Sequence, residues 1–343
     1  MMDADEPDMD LAQLAHVELL TPDLPGSLCY FSDLLGLEVT ETLVEAVYMR
    51  GYEEQYHHSL KLTQSPQAGL GHAAWRVRSR AALERKVAAL KRSGCDGRWI
   101  DGDLGHGPAY QFRTPGGHEM ELFWEVDYAE TPVGKETPLR NRPQRRPARG
   151  IPARRIDHLN LMTSDARKDR DFLVDVLGFR ERERVDMPDG NVLASFLSVT
   201  NLSHDIGLVP EPGDAIGRFH HLCLYYTSIQ HLFDLADMAR ERGFGIEAGP
   251  GRHGIGGAPF LFMYEPGGNR IELIGDPGYM IFDPAWRTVV WSAADLDVAA
   301  AWTGAPMPPS FWEIGTPSAA ASDAQRPLPD AYPEAREQSG PQA

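Results

Sequence analysis

The feature that most constrains the fold is that the chain repeats itself. His16-Val-Glu-Leu-Leu-Thr-Pro-Asp, followed by Asp33-Leu-Leu-Gly-Leu, returns 142 residues later as His158-Leu-Asn-Leu-Met-Thr-Ser-Asp, followed by Asp175-Val-Leu-Gly-Phe. His72 and His221 each lie in a short apolar run that precedes a helical segment, closed at Gly94 and Gly243, and we read each histidine as opening its strand. Pro115-Gly-Gly-His-Glu-Met-Glu121 reappears as Pro266-Gly-Gly-Asn-Arg-Ile-Glu272. The offset drifts from 142 through 149 to 151, as short loop insertions would produce. Two halves therefore share one topology.

Within each half the order strand, helix, several strands is performed twice. The helix after His221 carries Ile229, Leu232, Phe233 and Ala236 at the i, i+3, i+4, i+7 spacing of a core-facing stripe, and Leu83, Val87 and Leu90 play the same part in the segment from Ala81 to Ser93. The expected fold is α+β: four βαβββ modules forming two tandem domains of curved mixed sheet with helices outside. A doubly wound sheet would need regular strand-helix alternation, which the pattern lacks. We divide the chain into a disordered acidic N-terminus (1–10), an N-terminal module pair (11–130), a basic Pro/Arg linker (131–150), a C-terminal catalytic pair (151–285), an extension packing near the active site (286–315) and a disordered tail (316–343).

Composition narrows the function. A net charge of −17 in 343 residues disfavours nucleic-acid binding. The seven arginines between Arg140 and Arg155 are the local exception; broken by prolines and without apolar periodicity, they read as a solvated linker, with RNA binding the lesser alternative. No apolar run approaches the roughly 18 residues of a membrane span, and the start is acidic, unlike a secretory signal. Cys29, Cys95 and Cys223 have neither even count nor CxxC spacing. A cytoplasmic, reducing location follows as the expectation, without a membrane partner.

His158, His221 and Glu272 each fall in an apolar run, where an unpaired ionisable group would be costly. Taken singly, each histidine reads as an ordinary core residue. Together, two imidazoles and a carboxylate make up the facial triad that holds non-haem Fe(II) and leaves positions open for ligands.

Gly249-Pro-Gly-Arg-His-Gly254, followed by Tyr264-Glu-Pro-Gly-Gly-Asn-Arg-Ile-Glu272, and the stretch from Arg50-Gly-Tyr-Glu-Glu through His57-His58 carry a resemblance. From Leu11 to about Thr316 the chain resembles the type I extradiol ring-cleaving dioxygenases of the vicinal-oxygen-chelate superfamily. The resemblance implies cleavage of a catechol beside its diol by O2, with Fe(II), or alternatively Mn(II), held by His158, His221 and Glu272. His220 is then the neighbour of a ligand, since side chains alternate along a strand. His204 matches the family's proton-handling histidine, His253 the histidine that hydrogen-bonds the ring oxygens, and Asn160 an asparagine near the oxygen side. Phe196 matches an aromatic of the pocket wall.

Two departures bear on substrate. Phe262 stands where the family has a tyrosine hydrogen-bonded to the diol, with Tyr264 on the same strand face as a substitute. Ala248 and Ala299 stand where the homoprotocatechuate branch has carboxylate-binding arginines, so a neutral or hydrophobic catechol is expected. His16, His72 and Glu121 repeat the ligand pattern in the half that normally carries no metal in this family, and read as relics of duplication, with a second metal the lesser alternative. Family members are homotetramers, and a homo-oligomer is expected. The competing functions are a metal-dependent glyoxalase or isomerase of the same superfamily and a non-catalytic small-molecule binding protein.

Overall fold

The computed structural model describes residues 9–318. Each module begins with a strand that lies at the inner edge of its unit and so in the middle of its sheet. The first runs β1 (Leu11–Thr21), α1 (Leu24–Cys29), β2 (Glu38–Thr42), β3 (Ala46–Arg50), β4 (Leu60–Gln64), and the second β5 (Gly69–Val77), α2 (Arg80–Arg92), β6 (Gly97–Ile100), β7 (Ala109–Arg113), β8 (Glu119–Phe123). The third runs β9 (Arg155–Thr163), α3 (Ala166–Phe172), β10 (Arg180–Asp186), β11 (Val192–Ser198), β12 (Ile206–Pro210). The fourth runs β13 (Arg218–Tyr225), α4 (Ile229–Arg242), β14 (Ile246–Arg252), β15 (Pro259–Tyr264), β16 (Arg270–Ile274). Beyond them come β17 (Val289–Ser292), α5 (Leu296–Ala300), α6 (Pro309–Glu313) and β18 (Thr316–Pro317).

In every module the first strand pairs parallel with the last, and the two modules of a half join by their first strands, antiparallel. The first sheet reads β2-β3-β4-β1-β5-β8-β7-β6; the second reads β14-β15-β16-β13-β9-β12-β11-β10-β17, with β18 also on β13. This is the expected α+β architecture of four βαβββ units in two tandem domains. Its significance for function is adjacency. The strands β9, β13 and β16 lie side by side, and they carry His158, His221 and Glu272.

Local sequence accounts for the helices. Ser79 and Ser228 cap α2 and α4 by accepting backbone N–H bonds from Ala82 and Gln230, and Gly243 ends α4 in the left-handed region at φ 77°. Leu83, Val87 and Leu90 are buried. In α4 the buried stripe is Leu232, Leu235 and Ala239, whereas Ile229 and Phe233 are 48% and 49% exposed. The helix is thus rotated from the expected stripe, because Leu235 and Ala239 continue the i, i+3, i+7 row from Leu232 with smaller or better-placed side chains. The helices cover the sheet faces turned away from the clefts, and there the halves share one core, with Trp75 against Phe179 and Tyr30 against Phe244.

Several boundaries differ from expectation. His72 and His221 are each the fourth residue of their strands, since backbone pairing begins earlier, at Gly69 and Arg218. Asp10 is held by Arg85 and by the backbone N–H of Arg78, so the ordered chain starts before residue 11; residues 1–8 lie outside the described part. The 131–150 segment is laid against the first half. Gln144 is fully buried and accepts from Arg50, and Lys135 pairs with Glu38. A free solvated linker would leave these groups in water. Thr316–Pro317 forms β18 on Arg218 and Phe219, so the ordered chain extends past 315, and the rest of the expected tail, 319–343, lies outside the described residues. No helix among the described residues is long and apolar enough to cross a membrane. The three cysteines are free thiols.

Candidate active site

The register of four strands assembles the site. His221 pairs with Asn160 across β13 and β9, Cys223 pairs with Glu272 across β13 and β16, and Glu272 pairs with Phe262 across β16 and β15. Because alternate side chains share a face, His158, Asn160, His221, Glu272 and Phe262 all project to one side. That side is a cleft whose lining comes from strands spread across the sheet, which therefore curves around it. Gly207 lies opposite Asn160 on β12; a Cβ there would fall 1.8 Å from Asn160 Oδ1, so only glycine leaves room for that amide.

His158, His221 and Glu272 are 4%, 1% and 1% exposed, and one donor atom of each lies within 4.8 Å of the others. Glu272 Oε2 is 2.9 Å from His158 Nε2 and 3.2 Å from His221 Nε2, and the two imidazole nitrogens are 3.5 Å apart. Both rings are oriented from behind. His158 Nδ1 donates to Asp157 Oδ1 at 3.0 Å. His220 Nε2 donates to the Phe311 carbonyl at 2.7 Å, which leaves its Nδ1 to accept from His221 Nδ1 at 2.6 Å. Burial, followed by Arg270, holds His220 well below the usual imidazole range, so it is the neutral ring this relay requires. Each ligand-type histidine therefore turns Nε2 inward, the arrangement by which backing groups fix a metal-binding imidazole.

Charge favours a cation at this spot. Burial disfavours charge on Glu272, yet the His158, His221 and His253 rings around it hold its carboxyl well below the usual range. Burial likewise opposes charge on His158, but Asp157 and Glu272 outweigh it and push the ring up to about 9. Burial brings His221 down to about 4. The cluster so holds an ionised carboxylate and a proton at His158 Nε2, where a metal ion would sit instead. Two nitrogens and a carboxylate oxygen fit a divalent iron or manganese ion.

His204 stands against His158 with ring centroids 4.1 Å apart, and Phe196 packs on its other side at 5.2 Å. Burial, then the neighbouring His158, keeps His204 well below the usual range, hence neutral. His253 Nδ1 donates to the Ala300 carbonyl and Nε2 faces Glu272 Oε1 at 3.0 Å. Asn160 Oδ1 is buried without a hydrogen-bond partner, an acceptor left for something that enters the cleft. Phe262 packs on His221, His253 and Phe311.

Two expected substrate contacts are corrected. Tyr264 does not replace the missing tyrosine, because its hydroxyl is engaged by Glu247 at 2.7 Å and Arg270 at 2.9 Å, outside the cleft lining. Ala248 lies behind Phe262, its pairing partner, among Phe260 and Phe311. Ala299, by contrast, is in the wall. Side-chain alternation does not by itself separate His220 from His221. β13 bulges at His220, the pairing stepping from Phe219 with Leu161 to His221 with Asn160, and the extra residue turns its ring onto that of His221.

Asp157 and His220 are the functional groups that sequence reasoning missed. An Asp-His pair was visible as a signal for the first; the bulge behind the second has none. Asp157→Ala is expected to weaken metal binding by about 10–100-fold, the usual cost of losing a carboxylate behind a ligand histidine. Metal titration of the purified chain measures it, and an unchanged affinity would remove Asp157 from the site.

Residues 13–122 and 155–273 match the family described as Glyoxalase/Bleomycin resistance protein/Dioxygenase superfamily. The chain is 50% identical over 313 residues to the metapyrocatechase of Geobacillus stearothermophilus, covering 91% of this chain and 95% of that protein. It is 36% identical to a manganese-dependent 2,3-dihydroxybiphenyl 1,2-dioxygenase of Geobacillus genomosp. 3, covering 88% and 96%. Among solved structures, homoprotocatechuate 2,3-dioxygenase from Arthrobacter globiformis superposes with a TM-score of 0.80 at 28% identity, covering 95% and 97%. The chain thus belongs to the Glyoxalase/Bleomycin resistance protein/Dioxygenase superfamily. Its activity within that superfamily is extradiol ring cleavage, carried out with a catalytic metal ion.

Proposed function

We propose that this chain is an Fe(II)-dependent 2,3-dioxygenase that cleaves a neutral or hydrophobic catechol beside its diol with O2. The observation that carries the reading is one cleft holding both the His158, His221 and Glu272 cluster and an apolar wall without a cation. Val185, Phe196, Ile255, Phe262, Leu296 and Phe311 contribute to that wall, and no Lys or Arg is among its described lining residues. His158, His221 and Glu272 would hold the metal, which when bound supplies Lewis acidity toward the diol and the redox chemistry that joins O2 to the ring. His204, neutral and facing the cleft, accepts a proton from the diol and returns it as the ring opens. His253 hydrogen-bonds a substrate oxygen through Nε2, its Nδ1 being held by Ala300. Asn160 offers its free Oδ1 on the opposite side. The apolar wall orients the ring and excludes water.

The test is anaerobic loading with Fe(II), then addition of catechol and O2; yellow ring-opened product is expected, and none from any catechol would sink the proposal. Manganese is the second reading, favoured by the 36% identical manganese-dependent relative. Loading with each ion in turn separates the two.

Substrate charge gives a sharper measurement. A carboxylate on the ring would be buried without a guanidinium partner, and desolvating an ion costs several kcal/mol. At about 1.4 kcal/mol per decade, kcat/KM for catechol or a methylcatechol is expected to exceed that for 3,4-dihydroxyphenylacetate by about 100-fold or more. Equal values would place an unrecognised cation at the cleft.

A further inference from the structure

The first half repeats the metal cluster in a changed form. The strands β1, β5 and β8 correspond to β9, β13 and β16, and they set His16, His72 and Glu121 side by side with the same pairing, Glu18 with His72 and Ala74 with Glu121. A further histidine, His106, enters from the loop between β6 and β7. His16, His72, His106 and Glu121 are 3%, 5%, 4% and 0% exposed. One donor atom each of His16, His106 and Glu121 lies within 4.8 Å of the others. His16 Nε2 is 3.1 Å from His72 Nε2, His72 Nε2 is 3.8 Å from Glu121 Oε2, and His106 Nε2 is 3.4 Å from Glu121 Oε1.

Hydrogen bonding leaves one pair of this cluster, His106 and Glu121, without a proton or cation between them. His72 Nδ1 donates to Glu18 Oε2 at 2.9 Å and His106 Nδ1 donates to the Gly107 carbonyl at 2.9 Å. Both rings consequently turn Nε2 inward, and that of His106, backed only by a neutral carbonyl, presents its lone pair. His106 Nε2 and Glu121 Oε1 then face each other as two acceptors, fully buried and without a hydrogen-bond partner. A buried pair of this kind is costly unless a cation lies between. The surroundings are those of a built site. Gln111 donates to Glu121 Oε2 at 2.9 Å and fixes the carboxylate, while Glu18, which backs His72, is itself held by Thr63 at 2.6 Å and Lys61 at 3.3 Å.

The differences from the second half concern openness. Phe123 packs on His16 at 5.5 Å and on His106 at 4.7 Å, and Ala15, Ala74, Ile100 and Ala109 close around it. Where the cluster of the second half has three ligand-type groups and a cleft, this one has four groups closed in by Phe123 and by the buried ring of His58, 4.5 Å from that of His16. Three imidazoles and a carboxylate without an open position suit tetrahedral zinc in a structural role.

We propose that the first half binds its own divalent ion of the zinc type, held by His16, His72, His106 and Glu121, in addition to the catalytic metal. The test is metal content per chain, by mass spectrometry, of the full-length protein equilibrated with Zn(II) and freed of loosely held ion. Two equivalents are expected for the unaltered chain, one for His106→Ala/Glu121→Gln, and one for Glu272→Gln. The Glu272→Gln arm leaves the first half intact, so it decides the matter even where the double variant fails to fold. A single equivalent in the unaltered chain with none in Glu272→Gln would overturn the proposal, as would two equivalents in the double variant.

Discussion

Glu272→Gln is expected to lower ring cleavage by at least about a thousandfold and to release the catalytic metal. The carboxylate bridges His158 and His221 at 2.9 and 3.2 Å and receives His253 on its other oxygen, so it is the hub of the cluster. Glutamine keeps the shape but removes the negative charge that three neighbouring histidines hold ionised. A neutral amide is a poor partner for a divalent cation. Metal catalysis supplies several kcal/mol of charge stabilisation, and about 1.4 kcal/mol corresponds to each decade of rate. Steady-state kinetics with parallel metal analysis checks the expectation. Wild-type rates in the variant would take Glu272 out of the centre.

His204→Phe should separate chemistry from metal binding. The ring touches His158 and Phe196 but lends no donor atom to the cluster, so metal content is expected to stay near that of the unaltered chain. Phenylalanine preserves the packing and removes the proton carrier. General acid-base groups contribute about 10²–10⁴-fold, and kcat is expected to fall by that factor with little change in KM. Since burial keeps His204 well below the usual imidazole range, the neutral ring persists at acidic pH where an exposed histidine would be charged. A variant that lost metal together with activity would instead make His204 a support for His158.

How much of this could be read from sequence depends on whether the cause was local. The repeat was legible because strand-forming apolar runs and Gly or Pro punctuation are written in neighbouring residues, and corresponding positions then pointed to adjacent strands. The convergence of His158, His221 and Glu272 followed from that adjacency. What escaped depends on distant partners. Tyr264 is drawn from the cleft by Arg270 and Glu247, and Arg270 also donates to the carbonyls of Ser310 and Ile314, some forty residues on. His220 takes its orientation from Phe311, 91 residues away, and from a bulge that no periodicity announces. In α4, two equally plausible apolar rows competed, and packing against the sheet selected the one through Leu235 and Ala239.

The pairing of β9 with β13 also says something about ancestry. His158 belongs to the third module, and His221 with Glu272 to the fourth, so the proposed catalytic centre is owned by the seam and by neither unit. A solitary βαβββ module could assemble such a centre only by meeting a copy of itself across its first strand. Carrying both modules in one chain keeps that meeting permanent and lets each side of the seam differ from the other. One seam could then open into a reaction chamber lined by Phe196 and Phe311, while the other closed over its histidines.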